Sequence, residues 1–434
     1  MIGGRARRMR HAVAGAAALT LLAPTAAVAT ENGPRCREVQ VAVALTEGGP
    51  KDQRIVGDLC EPKGVRATAI QLLVHGITYD AGYWSFPDRT GGTDRYNYVA
   101  HANRAGFATL AIDRVGSTRS SKPLSTDLTI ESNAHSVHEV VQAIRTGEIR
   151  RSDGRRFTKV VYVGHSYGTW TGWFEVGRYS DVDAAVFTAA SSKGAPTALA
   201  NALGNLYPAM FDEKFRDAGL DPGYLTTLPN TRYQSFYAPA EADPGVIAHD
   251  EATKSTVTFS ELAKFRDILT TKHDIRVPVL LVAGAQDSLF CRENFHPFPA
   301  GAQLDAATRP HEDRTLPETG DLTGLRFGAT RCDTPEELIA DERAHLGSNM
   351  PVLDAYVLPG AGHDLNQAPR AREFFAFTQR WIRAQLGRIP RTSDDVAAMA
   401  TTSSDATAVV ARRRIGAPSI KGVTPCRRRA RARR

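Results

Sequence analysis

The chain has 434 residues, of which 42% are hydrophobic and 23% charged, a balance that suits a globular protein with a sizeable core. Its formal net charge of +7 is unevenly placed: four arginines before residue 30 and an excess of eight positive charges after Arg388 leave residues 30–388 at −5. That excludes a basic nucleic-acid-binding body, and the lack of a long apolar run beyond the N-terminus argues against a membrane span.

In chain order, Arg5, Arg7, Arg8 and Arg10 precede an apolar stretch from Ala12 to about Leu22, followed by Ala27-Val28-Ala29. A basic head, a short apolar segment and an A-x-A site read as a secretory signal over residues 1–29, removed after Ala29, so the protein is expected outside the cell. Arg7-Arg8 carries only a weak twin-arginine signature. Five cysteines then fall in an oxidising location. Cys36 and Cys60 flank two strand-like runs, Glu38–Leu45 and Arg54–Leu59, and a hairpin turning near Gly48 sets them within disulfide reach. Cys291 and Cys332 form the second expected pair, an assignment from placement alone. Cys426 is left over.

From residue 30 to 388, short apolar runs alternate with helical patterns. The strands expected are Ala69–Val74, Ala108–Ile112, Lys159–Val163, Val182–Phe187, Val277–Val282 and Ala355–Leu358. Helices are expected over Thr129–Ile149, Tyr167–Tyr179 and Arg370–Leu386. Such alternation predicts an α/β fold, a mostly parallel sheet with helices on both faces. Two stretches interrupt it. Residues 191–276, with helix-like segments around Pro196–Phe215 and Phe259–Leu269, read as a helical cap inserted between core segments 30–190 and 277–388. Its aromatics (Tyr207, Phe211, Phe215, Tyr224, Tyr233, Phe236 and Tyr237) either line a pocket or form the cap's own core. Residues 291–350 are an irregular Asp-, Pro- and Thr-rich insertion. After Arg388 large apolar residues become scarce, and residues 389–434 read as a disordered basic tail.

The chemistry concentrates at a few turns. Gly164-His165-Ser166-Tyr167-Gly168 matches G-x-S-x-G between a strand and a helix, where a sharp turn lifts the serine hydroxyl into the open and side chains at the flanking glycines would clash. A serine needs a base to act as nucleophile. Asp287 follows the run VPVLLVAG, and His363 stands past the next strand in Leu358-Pro359-Gly360-Ala361-Gly362-His363, so acid and base follow the serine in that order. His296, His311 and His345 lack such a position. His165 is expected to pack beside the turn. An oxyanion needs two backbone N–H donors, assigned to Tyr167 and Ile77. His135 and His138 lie close on one helix, a spacing suggestive of metal, but no further ligand is evident; neither metal nor cofactor is expected.

With His75-Gly76 after one strand, Asp113-Arg114-Val115-Gly116 after the next, Gly164–Gly168, Asp287 and His363 in this order, the chain resembles the α/β-hydrolases, in particular capped, secreted esterases and lipases. The resemblance implies hydrolysis of a small-molecule carboxylic ester through an acyl-enzyme. Two rivals remain: an aminopeptidase or amidase on the same fold, with Glu241 or Asp243 gripping the substrate amine, and a non-catalytic binding protein on a hydrolase fold.

Overall fold

Arg35–Val43 (β1) and Gln53–Glu61 (β2) pair as an antiparallel hairpin, with Val41 and Val43 of β1 turned inward. Its register sets Cys36 opposite Cys60, and the two are bonded. Gly48, at φ +72°, supplies the left-handed residue of the turn. The structure, a computed structural model, describes residues 34–88, 94–238, 243–291 and 330–387. The segment expected to be a secretory signal, residues 292–329, Glu241 and the basic tail with Cys426 lie outside the described residues.

The mostly apolar runs that follow are strands buried on both faces. Ala69–Val74 (β3), Ala108–Asp113 (β4), Lys159–His165 (β5) and Ala184–Thr188 (β6) alternate with helices Tyr98–Arg104 (α1), Ile130–Thr146 (α2) and Tyr167–Tyr179 (α3). The helix α2 shows why its segment folds so. Thr129 caps it in a reciprocal box with Ser132, Gly147 ends it in the left-handed region, and its stripe Val137, Val140, Val141 and Ile144 is fully buried.

Between β6 and the next core strand lies the insertion expected to be a helical cap. It contains helices Pro196–Gly204 (α4), Arg232–Phe236 (α5), Pro244–Thr253 (α6), Phe259–Ala263 (α7) and Phe265–Thr270 (α8). It also holds a small antiparallel sheet of Leu206–Pro208 (β7), Tyr224–Thr227 (β8) and Val257–Thr258 (β9). The helix expected to run to Phe215 thus stops at Gly204. Strands of two to four residues are too short to show a period in sequence.

The core resumes with Val279–Gly284 (β10), Pro335–Leu346 (α9), Leu353–Leu358 (β11) and Ala371–Leu386 (α10). The helix α9 falls inside the insertion expected to be irregular. Thr334, whose hydroxyl caps Glu337 N, with Pro335 in the first turn and two glutamates behind it, is a helix start that the surrounding Asp- and Pro-rich composition masked.

One eight-stranded sheet runs β1-β2-β4-β3-β5-β6-β10-β11, antiparallel only where β2 meets its neighbours. This is the expected α/β architecture, a mostly parallel sheet flanked by helices with an inserted cap. The chain direction across the sheet reverses at β3: β4 lies on one side and β5 on the other. Open sheets bind ligands outside the carboxyl ends of the strands at such a point. Among the described residues no helix is long and apolar enough to cross a membrane.

Candidate active site

The carboxyl end of β5 runs directly into α3, leaving Ser166 as the single residue of the turn. It sits at φ 53°, ψ −120°, a strained conformation for a residue with a side chain. The turn can close only because of its glycines. A Cβ on Gly168 would lie 2.1 Å from Val74 O, and one on Gly164 would lie 2.5 Å from Gly168 O. Ser166 N donates to Thr188 O on β6 at 2.9 Å, which ties the turn to the sheet.

Two further loops meet it. The one after β10 carries Asp287, and the one after β11 carries His363. They pack so closely that a Cβ on Gly284 would lie 2.2 Å from Gly362 O. His363 Nε2 is 2.9 Å from Ser166 Oγ, and His363 Nδ1 is 2.9 Å from Asp287 Oδ2. Asp287 Oδ1 accepts from Leu289 N at 2.9 Å, so both carboxylate oxygens have partners. Asp287 and His363 are buried, while Ser166 keeps 8% of its surface exposed. Burial alone would lower the His363 pKa. The Asp287 carboxylate outweighs it and leaves the imidazole above its ordinary 6.5. The structure therefore brings together the three side chains selected from the sequence.

Cys291 and Cys332 are bonded across a separation of 41 residues, and Cys291 N donates to Asp287 O at 2.8 Å. The bridge thus anchors the turn that presents the carboxylate. A loop of this length contributes about 3–4 kcal/mol in the chain-entropy model. The double variant Cys291→Ala/Cys332→Ala is expected to unfold at a distinctly lower temperature, and an unchanged melting curve would count against the anchor.

The loop after β3 bears Ile77. A Cβ on Gly76 would lie only 3.0 Å from Ser166 Cβ, so this loop passes directly beside the serine. Thr78, at φ 54°, bends it, and its hydroxyl accepts from Arg232 Nη1 of α5 at 2.7 Å. Tyr167 is the first residue of α3, a position whose N–H has no partner within the helix. The other expected neighbour, His165, is fully buried and stacked on Tyr83, with ring centroids 4.2 Å apart. Burial first, and then the nearby His363, hold its pKa well below 6.5.

Behind His363 lies a polar network absent from the sequence expectations. Asp364 Oδ2 accepts from Tyr79 OH, which also reaches Asp250 Oδ2 at 3.2 Å. Arg232 grips Asp250 with two bonds of 2.8 and 2.9 Å and lies over the Tyr79 ring. Burial and then Asp250 push the Asp364 carboxyl up to about 7. A second buried pair, Arg114 with Glu261 of α7 at 2.7 Å, fixes another part of the cap, and Arg114 also covers the Tyr167 ring. Asp364 next to the histidine was readable. Asp250 and Arg232, in the cap, had no local signal.

Ser166 opens into a cavity whose aromatic lining is Tyr167, Trp170, Phe236, Phe265 and Phe290, with Ile77 and Leu199 among the aliphatic residues. Of the cap aromatics singled out in sequence, Phe236 faces this cavity. Tyr224 is buried, with its hydroxyl on Pro123 O, and Phe211 is exposed on the surface.

No curated protein matches the chain. Solved structures similar to it include an esterase from Thermogutta terrifontis, with TM-score 0.45 and 14% identity, covering 80% of this chain and 99% of that one. An enol-lactonase from Burkholderia xenovorans LB400 has TM-score 0.43 and 13% identity, covering 79% and 99%. An α/β-hydrolase-fold protein from Chitinophaga pinensis has TM-score 0.44 and 12% identity, covering 80% and 96%. At these identities the likeness carries no inference about chemistry. The model of the alpha/beta hydrolase family matches residues 71–377, which span β3 to α10 and every loop that meets at Ser166. The chain belongs to the α/β-hydrolase family.

Proposed function

We propose that this protein is an exported serine hydrolase that cleaves carboxylic esters carrying an apolar acyl group. One observation carries the reading: an unbroken hydrogen-bonded chain from Asp287 through His363 to Ser166, with the serine opening into an apolar cavity. Ser166 Oγ attacks the ester carbonyl while His363 Nε2 takes its proton. Asp287 holds the other ring nitrogen protonated and stabilises the imidazolium. The N–H groups of Tyr167 and Ile77 receive the oxyanion. His363 then returns the proton to the departing alcohol. Water, activated the same way, releases the acid and frees the serine.

Residues 191–276 serve as the cap, and Phe236 and Phe265 from it join Trp170 against the acyl chain. Export after removal of residues 1–29 agrees with the disulfides, which persist in oxidising compartments. The cavity lining includes no carboxylate among the described residues, and Asp243 is engaged as the cap of α6 through Gly245 N at 2.8 Å. Both facts favour an acyl ester over an aminoacyl amide. The test is a panel of aryl esters of increasing acyl length beside an aminoacyl anilide, together with labelling by a fluorophosphonate. Ester turnover with labelling at Ser166 is expected; preference for the anilide would point to the peptidase, and the absence of both turnover and labelling to a binding protein.

The base must be neutral to accept the serine proton. Because the His363 pKa is raised, kcat/KM is expected to fall as pH drops, with its inflection above 6.5 and a limiting slope of one. A profile flat down to pH 5 in a protein still folded there would remove His363 from this role.

A further inference from the structure

His138 of α2 and Glu175 of α3 meet Asp181, just beyond the end of α3, away from Ser166. One ring nitrogen and one oxygen of each carboxylate lie within 4.8 Å of one another. His138 Nδ1 is 2.7 Å from Asp181 Oδ2 and 4.0 Å from Glu175 Oε1. The helical spacing of His135 and His138 offered no further ligand in the sequence; the packing of α2 on α3 supplies two.

Glu175 is the observation that points to a ligand. It is fully buried, and neither of its oxygens receives a hydrogen bond. Among the described residues no lysine or arginine forms an ion pair with Glu175 or with the side chain of Asp181. A buried carboxylate without a compensating cation or proton is strongly disfavoured. Either Glu175 keeps a proton that it shares with Asp181, or a cation stands where that proton would be.

The surroundings favour the cation. His138 Nδ1 comes within 2.7 Å of Asp181 Oδ2, and Asp181 Oδ1 is buried with no N–H or O–H donor on it. The groups that would bind are already held in place. The His138 ring stacks on Tyr179 with centroids 3.7 Å apart, Tyr179 OH pairs with His135 Nδ1 at 2.9 Å, and Gln142 Nε2 donates to Asp181 Oδ2 at 2.6 Å. Such outer contacts orient metal ligands and tune them.

We propose that His138, Glu175 and Asp181 bind a divalent transition-metal ion of the zinc type. Ligand atoms around one zinc ion, at about 2.0–2.2 Å from it, are separated by roughly 3–4 Å, so small side-chain rotations close the set. An imidazole with two carboxylates suits zinc, whereas calcium takes about 6–8 oxygens. The His138 and Asp181 side chains are 19% and 16% exposed, which leaves the remaining position to water. The ion fastens α2 to α3, the helix that begins beside Ser166, so its role is to stiffen the support of the serine.

The test is calorimetric titration of the purified protein, stripped with chelator, with Zn2+ and in parallel with Ca2+. Thermal unfolding is recorded with and without each ion, and visible absorption is recorded with Co2+. Expected are one saturable zinc site, a melting temperature higher by several degrees with zinc and unmoved by calcium, and Co2+ bands of a nitrogen- and oxygen-ligated ion. His138→Gln and Glu175→Gln are each expected to weaken zinc binding by more than about 100-fold. No saturable binding in the native protein, or zinc binding undiminished in His138→Gln, overturns the proposal. Should Glu175→Gln fail to fold, the partly exposed His138→Gln decides alone. A native protein indifferent to zinc, with Glu175→Gln as stable as the parent, is the result expected of a shared proton.

Discussion

Replacing Ser166 by alanine is expected to lower kcat on an aryl ester by about 10⁴- to 10⁶-fold while leaving KM within a few-fold of the parent value. The hydroxyl supplies the covalent intermediate, and its Oγ is the group from which His363 Nε2 takes the proton. Serine and histidine act as one unit, so Ser166→Ala/His363→Ala should be little slower than either single variant. The residual rate would reflect binding and the backbone N–H groups alone. Stability provides a separate readout. Ser166 holds a left-handed φ that costs a residue with a Cβ about 1–3 kcal/mol, so Ser166→Gly should lose activity as alanine does yet unfold at higher temperature. Substantial ester turnover by purified Ser166→Ala would end the proposed mechanism.

The second large effect is expected on stability. Asp250→Ala leaves the Arg232 guanidinium buried without its counter-ion, at a cost of about 3–5 kcal/mol in the unfolding free energy. The pair is inaccessible, with Arg232 0% and Asp250 1% exposed, so solvent cannot substitute for the lost carboxylate. Replacing both residues with apolar ones of similar size, Arg232→Met/Asp250→Leu, should cost far less, because no charge is then stranded. Arg232 also holds the Thr78 hydroxyl, one residue from the proposed oxyanion donor Ile77. Asp250→Ala is therefore expected to lower kcat/KM as well, even at temperatures where the variant remains folded. Urea unfolding with parallel assays measures both effects. A single variant as stable as the parent would show that the pair does not secure the cap.

The core strands β3 to β6 and β10 were legible because strands buried on both faces must be short apolar runs, and few other segments look alike. The turn at Ser166 was legible for a local reason too. Its glycines are demanded by backbone atoms less than 3 Å from where their side chains would be, and that demand is written in five consecutive letters. Asp287 and His363 could be singled out because loops at the carboxyl ends of parallel strands share one sheet edge. Their 2.9 Å contacts belong to packing. The helix α9 was hidden by composition, and the strands of the cap by their shortness.

What the sequence determined by itself is the order of strands and helices and the positions of the sharp turns, since both depend on residues near one another along the chain. Only the tertiary structure decided which distant groups meet: Arg232 with Asp250 and Thr78, Asp364 with Tyr79, His138 with Glu175 and Asp181. Buried polar groups find their partners wherever the packed chain brings donors, acceptors and charges together, and burial makes each such meeting energetically decisive. No local period or spacing encodes it.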